Sequence, residues 1–293
     1  METMNPPNFL PIVWLGEPPA NDPSLVGAKV AILSSLAPLC HLPPGFCLTT
    51  DAFRAALAAD PAQEEPDGSL DASSSLQLDP VRTAYQLLAQ RCGVAEPAVA
   101  VRPSPVEPER LAPSPVRQLK TALNVQGIEA VMAAVQRCWD AARSARVMGE
   151  LAVLVQQMAP AETAAVVFSA NPLTGNRNEV VIHANWGLGA SIVGGAVTPD
   201  IYIVSKANPV VFSVQIADKE RMTVAGPQGA HEVAVPDLLR HRLALVERQI
   251  AALAQLAVRV EVEMGHPVEI ECACQGEMLY LLRCRPIVPL SGQ

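Results

Sequence analysis

The sequence predicts an α+β fold in two lobes, and three observations carry that prediction. Before Glu150 the clearest apolar spacing is helical. After it come short runs rich in Val and Ile, bounded by Pro, Gly and Asn. The chain then closes on two strand-like runs, VEIECA and MLYLLRCRP, joined through Gln275-Gly276-Glu277. These assign residues 1–158 to an N-terminal lobe and 159–293 to a C-terminal lobe, with the seam near Gln156 to Pro160.

A first helix is expected over Ser24 to Leu36, because Gly27-Ala28-Lys29 leads into VAILSSL. Residues 57–82, polar and rich in Asp, Ser and Pro, read as a surface excursion. In VAVRPSPVEPE an apolar strand-like run ends at Arg102 and meets a proline-interrupted loop. Gly127 to Ser144 spaces its apolar residues as a helix does. LAVLVQQM, AAVVFSA, EVVIHA and DIYIVSK read as strands. A long amphipathic helix is expected from about Pro236 to Glu263, with Asp237 near its start and Gly265 past its end.

Half of the 293 residues are hydrophobic and 17% are charged, which is the composition of a folded globular chain. The net charge of -8 and scattered basic residues argue against a general nucleic-acid surface, so a bound anion calls for a local pocket. Seven cysteines without CxxC spacing fit reduced, buried thiols of a cytoplasmic protein. No apolar run approaches the ~20 residues that a membrane span requires, and the N-terminus lacks the basic-then-apolar pattern of a secretion signal.

Several residues could carry chemistry. In LYLLRCRPI, Arg283 and Arg285 stand two apart on a strand and therefore share a face. With Glu271 on the neighbouring strand they read either as an exposed cross-strand ion pair or as a site for something negative. Lys29, after a Gly-Ala pair at a helix start, could join backbone N–H groups in holding phosphate. Arg102, taken by itself, reads as a surface arginine at a strand end. The segment FSANPLTGNRNEVVIHANWGLGASIVGGAVTPD concentrates turn residues between strands, so its main chain can approach a ligand or a packed neighbour closely.

Taken in order, LVGAKVAIL, LPPGFCLTTDAFR, AVRPS, LNV, LVQQM, FSANPLTG, GLGA, VTPD, IECA and LLRCRPI make the sequence resemble the ATP-binding domain of the pyruvate phosphate dikinase and phosphoenolpyruvate synthase family, which includes rifampicin phosphotransferase. The resemblance covers roughly residues 22–290. It implies an ATP-grasp fold whose two lobes hold the nucleotide in the cleft between them. It also implies roles at matching positions: Lys29, Arg102 and Arg285 on ATP phosphates, Gln156 at the hinge that reads adenine, Thr121 in the loop covering the nucleotide, and Glu271 as a ligand of Mg²⁺.

The departures from the family pattern bear on catalysis. Pro103 stands where a serine normally follows the arginine, and Pro105 and Val106 are also atypical. Arg117 replaces a lid glycine that lets backbone N–H groups close over phosphate. Arg283 replaces the metal-binding glutamine two residues before the last arginine. A guanidinium held about 4 Å from a divalent ion is repelled by roughly 8 kcal/mol at an effective dielectric near 20. Either the side chain turns away and Glu271 holds the metal with phosphate oxygens, or its charge partly replaces the ion.

Full-length family members pass phosphate through a histidine on a swivelling domain. The resemblance therefore implies an ATP-binding subunit of a split phosphotransferase, with a protein partner that supplies the phosphohistidine and the acceptor site. The alternative is a degenerate ATP-grasp protein that senses nucleotide or acts as a scaffold. His183-Ala184, inside a strand, reads as structural.

Overall fold

The computed structural model describes residues 9–59, 72–107, 119–145, 151–208, 211–227 and 229–287. They form two compact units. The first takes the described residues up to Ser35 together with Pro44–Met158, and the second takes Leu36–Pro43 with the described residues from Ala159 onward.

The first unit is built on a five-stranded antiparallel sheet of β1 (Ile12–Trp14), β2 (Gly45–Leu48), β3 (Val99–Pro105), β4 (Ala122–Val125) and β5 (Leu151–Gln157), in the order β1-β2-β5-β3-β4. Its helices are α1 (Pro23–Ser35), α2 (Thr50–Ala59), α3 (Ala72–Cys92) and α4 (Ile128–Ser144). Strand alternation divides the sheet's side chains between two faces. Val99 and Val101 of β3, with Leu151, Val153 and Val155 of β5, join Phe53, Leu88, Val131, Val135 and Trp139 in one buried core. Trp139 stacks on Phe53 at 6.0 Å between ring centroids. Each such side chain, fully buried, stabilises the fold by about 1.5–3 kcal/mol.

Two expectations change here. The stretch 57–82 is helical at both described ends, closing α2 and opening α3, and Val81 is buried in the core. Residues 60–71 lie outside the described residues. Pro80, which reads as a turn signal, lies inside α3. Arg102 does not end its strand, because β3 runs on through Pro103, Ser104 and Pro105, each paired with β5. Met158 N–H donates to Ala98 C=O at 2.8 Å, so even-numbered residues of β3 direct their main-chain groups toward β5 and odd-numbered ones toward β4. β4 reaches only to Ala122, opposite Val101, so both prolines fall where no strand asks for an N–H.

The second unit holds a six-stranded antiparallel sheet in the order β13-β12-β6-β7-β8-β9. Its strands are β6 (Thr163–Phe168), β7 (Glu179–Trp186), β8 (Asp200–Ser205), β9 (Val211–Gln215), β12 (Val268–Gln275) and β13 (Met278–Pro286). A separate hairpin pairs β10 (Arg221–Gly226) with β11 (Gly229–Ala234). The expected long helix is two elements, α6 (Asp237–Arg240) and α7 (Glu247–Met264), and a short helix α5 (Ala190–Val193) lies in the Gly-rich segment. α7 ends as expected at Gly265, whose φ of 72° is the left-handed cap that glycine adopts without penalty.

The break between α6 and α7 has a tertiary cause. Ala244 N–H donates to Asp200 Oδ2 at 2.8 Å and Leu245 N–H to Tyr202 Oη at 3.3 Å, so the backbone groups a continuous helix needs are engaged elsewhere. Asp200 and Lys219 form a fully buried ion pair at 2.7 Å, and Asp200 also accepts from Ala217 N–H at 2.9 Å. One carboxylate thus ties β8 to two irregular segments.

Candidate functional site

In the first unit, the face of the sheet opposite the large core carries Ala100, Arg102 and Ser104 of β3 and Ala152, Leu154 and Gln156 of β5. Arg102 pairs with Leu154 and Ala100 with Gln156, so Arg102 and Gln156 are diagonal neighbours. α1 packs against these two strands. It does so through Gly27, whose φ of 76° interrupts the helix and whose missing Cβ would lie 2.1 Å from Ser104 O. Val30 N–H, in the first turn after that kink, donates to the buried Ser104 Oγ at 3.3 Å. Lys29, one residue earlier, donates through Nζ to Pro103 O at 2.9 Å, on the strand edge left open by the two prolines.

Register thus brings Lys29, Arg102 and Gln156 to one side of the sheet. Gln156 is 1% exposed, and its backbone lies against Gly45, where a Cβ would approach Gln156 Cα to 2.9 Å. Thr121 is exposed and stands one residue before Ala122, the partner of Val101. Arg117 lies outside the described residues.

In the second unit, α7 covers the sheet face that carries Val180 of β7, since Val180 lines a cavity with Ala254 and Val258. Successive cross-strand pairs build two rows on the opposite face. One runs Arg283, Glu271, Val166, His183 and Ile201; the other runs Arg285, Glu269, Phe168, Val181 and Ile203. Arg283 Nη1 donates to Glu271 Oε1 at 3.0 Å, with side-chain exposures of 17% and 18%. Arg285 Nε donates to Glu269 Oε1 at 2.8 Å, with exposures of 47% and 11%.

Both arginines therefore face acids, as adjacent charges in a sheet favour. Glu269 is the site residue that the sequence reading passed over. Its signal was present, because Glu269 and Glu271 in VEIEC repeat the two-residue spacing of Arg283 and Arg285. Farther along the rows, Phe168 and His183 meet edge to face at 5.4 Å, and burial pulls the His183 pKa below its ordinary value of 6.5.

The Gly-rich segment divides into parts with different work. In NPLTG, Asn171 Oδ1 accepts from Leu173 N–H at 3.0 Å and Thr174 N–H at 3.1 Å, while its amide donates to Glu179 at 2.7 Å. That loop satisfies its own polar groups. At Gly187 the close approach is to a protein neighbour: a Cβ there would meet Thr223 O at 2.3 Å, and Leu188 N–H donates to the same oxygen at 2.8 Å. Gly189 rests on Ala164, which pairs with Ala273 and Asn185, so α5 covers the third row of the face that bears Glu271.

The donor set does not fit Mg²⁺. Glu271 and Arg283, which the sequence resemblance sets at metal-binding positions, form an ion pair here, and among the described residues no group of three or more His, Cys, Asp or Glu is arranged to hold a metal. A divalent ion needs several oxygen ligands, and Glu271 already has a guanidinium partner. Burial pushes the thiols up, Cys40 to about 11 and Cys284 to about 12, so neither is a nucleophile near neutral pH. No helix among the described residues is long and apolar enough to cross a membrane.

Comparison with known proteins identifies the family. Residues 73–292 match the family model described as pyruvate phosphate dikinase, AMP/ATP-binding domain. A probable phosphoenolpyruvate synthase from Methanocaldococcus jannaschii is 32% identical over 96% of this chain and 27% of its own length. The phosphoenolpyruvate synthase of Pyrococcus furiosus is 30% identical over 96% of this chain and 44% of its own length. Rifampicin phosphotransferase from Streptomyces sviceus is 29% identical over 91% of this chain and 34% of its own length. The chain thus spans less than half the length of these relatives.

Proposed function

Because the chain belongs to the pyruvate phosphate dikinase AMP/ATP-binding domain family, we propose that it binds ATP and hands a phosphoryl group to a histidine on a partner protein, which carries it to the acceptor. Its α+β architecture is the ATP-grasp fold of that family. Lys29, Arg102 and Arg285 neutralise the phosphates, Gln156 reads the adenine edge, and Thr121 lies over the nucleotide. Stabilising the charge of the transferring phosphoryl group supplies most of the catalysis in such reactions.

The observation that carries this reading is the gathering of Lys29, Arg102 and Gln156 on one side of the first unit's sheet. One buried amide and two cations suit a base and its phosphates better than an apolar ligand. The Arg283–Glu271 pair favours a second reading, in which the chain binds nucleotide without transferring phosphate.

The test is labelling. The protein, taken from its native host with whatever co-purifies, is incubated with ATP labelled in its β- and γ-phosphates. Transfer predicts an acid-labile, base-stable label on a co-purifying protein, lost in Lys29→Met. Saturable ATP binding with no label on any protein selects the second reading.

A further inference from the structure

We propose that this chain binds ATP without a divalent cation, with the Arg283 guanidinium supplying charge where the family's metal would lie. The inference rests on the ATP-binding reading above and concerns Glu271 and Arg283 of the second unit.

Two features of the closing hairpin carry it. Glu271 and Arg283 are directly opposed in register and bonded at 3.0 Å, both more than four-fifths buried. Arg285 closes on Glu269 in the next row through Nε at 2.8 Å. Glu271 and Glu269, the carboxylates of these two rows, are each compensated by a permanently charged arginine. A metal arriving at Glu271 meets a guanidinium beside that carboxylate, and must displace it against like-charge repulsion.

ATP meets no such obstacle. A guanidinium carries five N–H donors in a planar fork and binds carboxylate and phosphate with the same two-point geometry. Arg283 can therefore donate to Glu271 through one N–H and to a phosphate oxygen through others. Glu271 then acts as a positioning residue that holds the guanidinium on the sheet face, rather than as a metal ligand.

Calorimetric titration with the β,γ-imido analogue of ATP, in excess Mg²⁺ and in EDTA, tests this on the intact chain. The dissociation constants in the two buffers are expected to agree within about threefold, whereas Arg283→Gln should bind at least about tenfold more tightly with Mg²⁺ than without. If the wild-type chain binds about tenfold more tightly with Mg²⁺, this inference fails and the ATP reading stands. Binding in neither buffer overturns the ATP reading and this inference with it. Arg283→Gln that folds, as judged by its thermal melt, yet stays indifferent to Mg²⁺ also overturns it, because the compensating charge then lies elsewhere. Should that variant not fold, the wild-type comparison still decides.

Discussion

At the scale of single residues, Gly27 and Ser104 determine where Lys29 stands. Gly27 combines φ 76° with ψ 159°, a conformation essentially closed to residues with a Cβ, and a Cβ added there would fall 2.1 Å from Ser104 O. The kink restarts the helix, and Ser104 Oγ receives the Val30 N–H that the restart leaves without a helical partner. Gly27→Ala therefore adds backbone strain to a clash with main chain, and is expected to cost about 3 kcal/mol or more. Urea denaturation checks the stability. ATP titration of the surviving folded fraction should show weaker binding, because Lys29 lies two residues away; unchanged affinity would show that the kink does not position the ammonium. The motif GAK pointed to Lys29 from sequence alone. It did not reveal that the glycine accommodates a neighbouring strand rather than phosphate, because that contact is 77 residues distant along the chain.

At the scale of elements, legibility followed locality. The closing hairpin was readable as two strands and a turn, since alternation and Gln275-Gly276-Glu277 are local signals, but its register was not: an irregularity between Glu271 and Cys272 shifts the pairing by one residue, so that Glu271 meets Arg283 rather than Leu282. The interruption between α6 and α7 was not, because the side chains that claim Ala244 and Leu245 N–H come from β8, more than forty residues earlier. β9, β10 and β11 carry too few buried residues to show a period, and Pro80 inside α3 hid a helix behind a turn signal. The hairpin ladder offers a quantitative check. Arg285→Gln leaves Glu269, 11% exposed, without its partner and should cost about 1–2 kcal/mol, whereas Glu269→Gln with Arg285→Gln should cost less than the two single changes added. Full additivity in that double-mutant cycle would show that the pair contributes nothing to the sheet.

At the scale of the whole molecule, stability should respond to pH through His183. Its ring sits on the β6–β7 face against Phe168, where burial favours the neutral form, so its folded pKa lies below 6.5. The unfolded chain has no such bias and takes up the proton near its ordinary value. As pH falls through about 6.5, the unfolded state therefore binds more protons than the folded state, and His183's contribution is lost progressively until the folded pKa is passed. Asp22 and Asp218, both held below the usual carboxylate range by hydrogen bonds, act in the same direction but only in more acid solution. Between pH 7.5 and 5.5 the urea midpoint of the wild-type protein should decline, and His183→Gln, which keeps a polar side chain but cannot titrate, should flatten that decline. His183 is then a structural residue whose neutrality the sheet requires. A decline of equal size in wild type and variant would place the titrating group elsewhere, and would remove the argument that this face of the sheet is built to hold an uncharged ring.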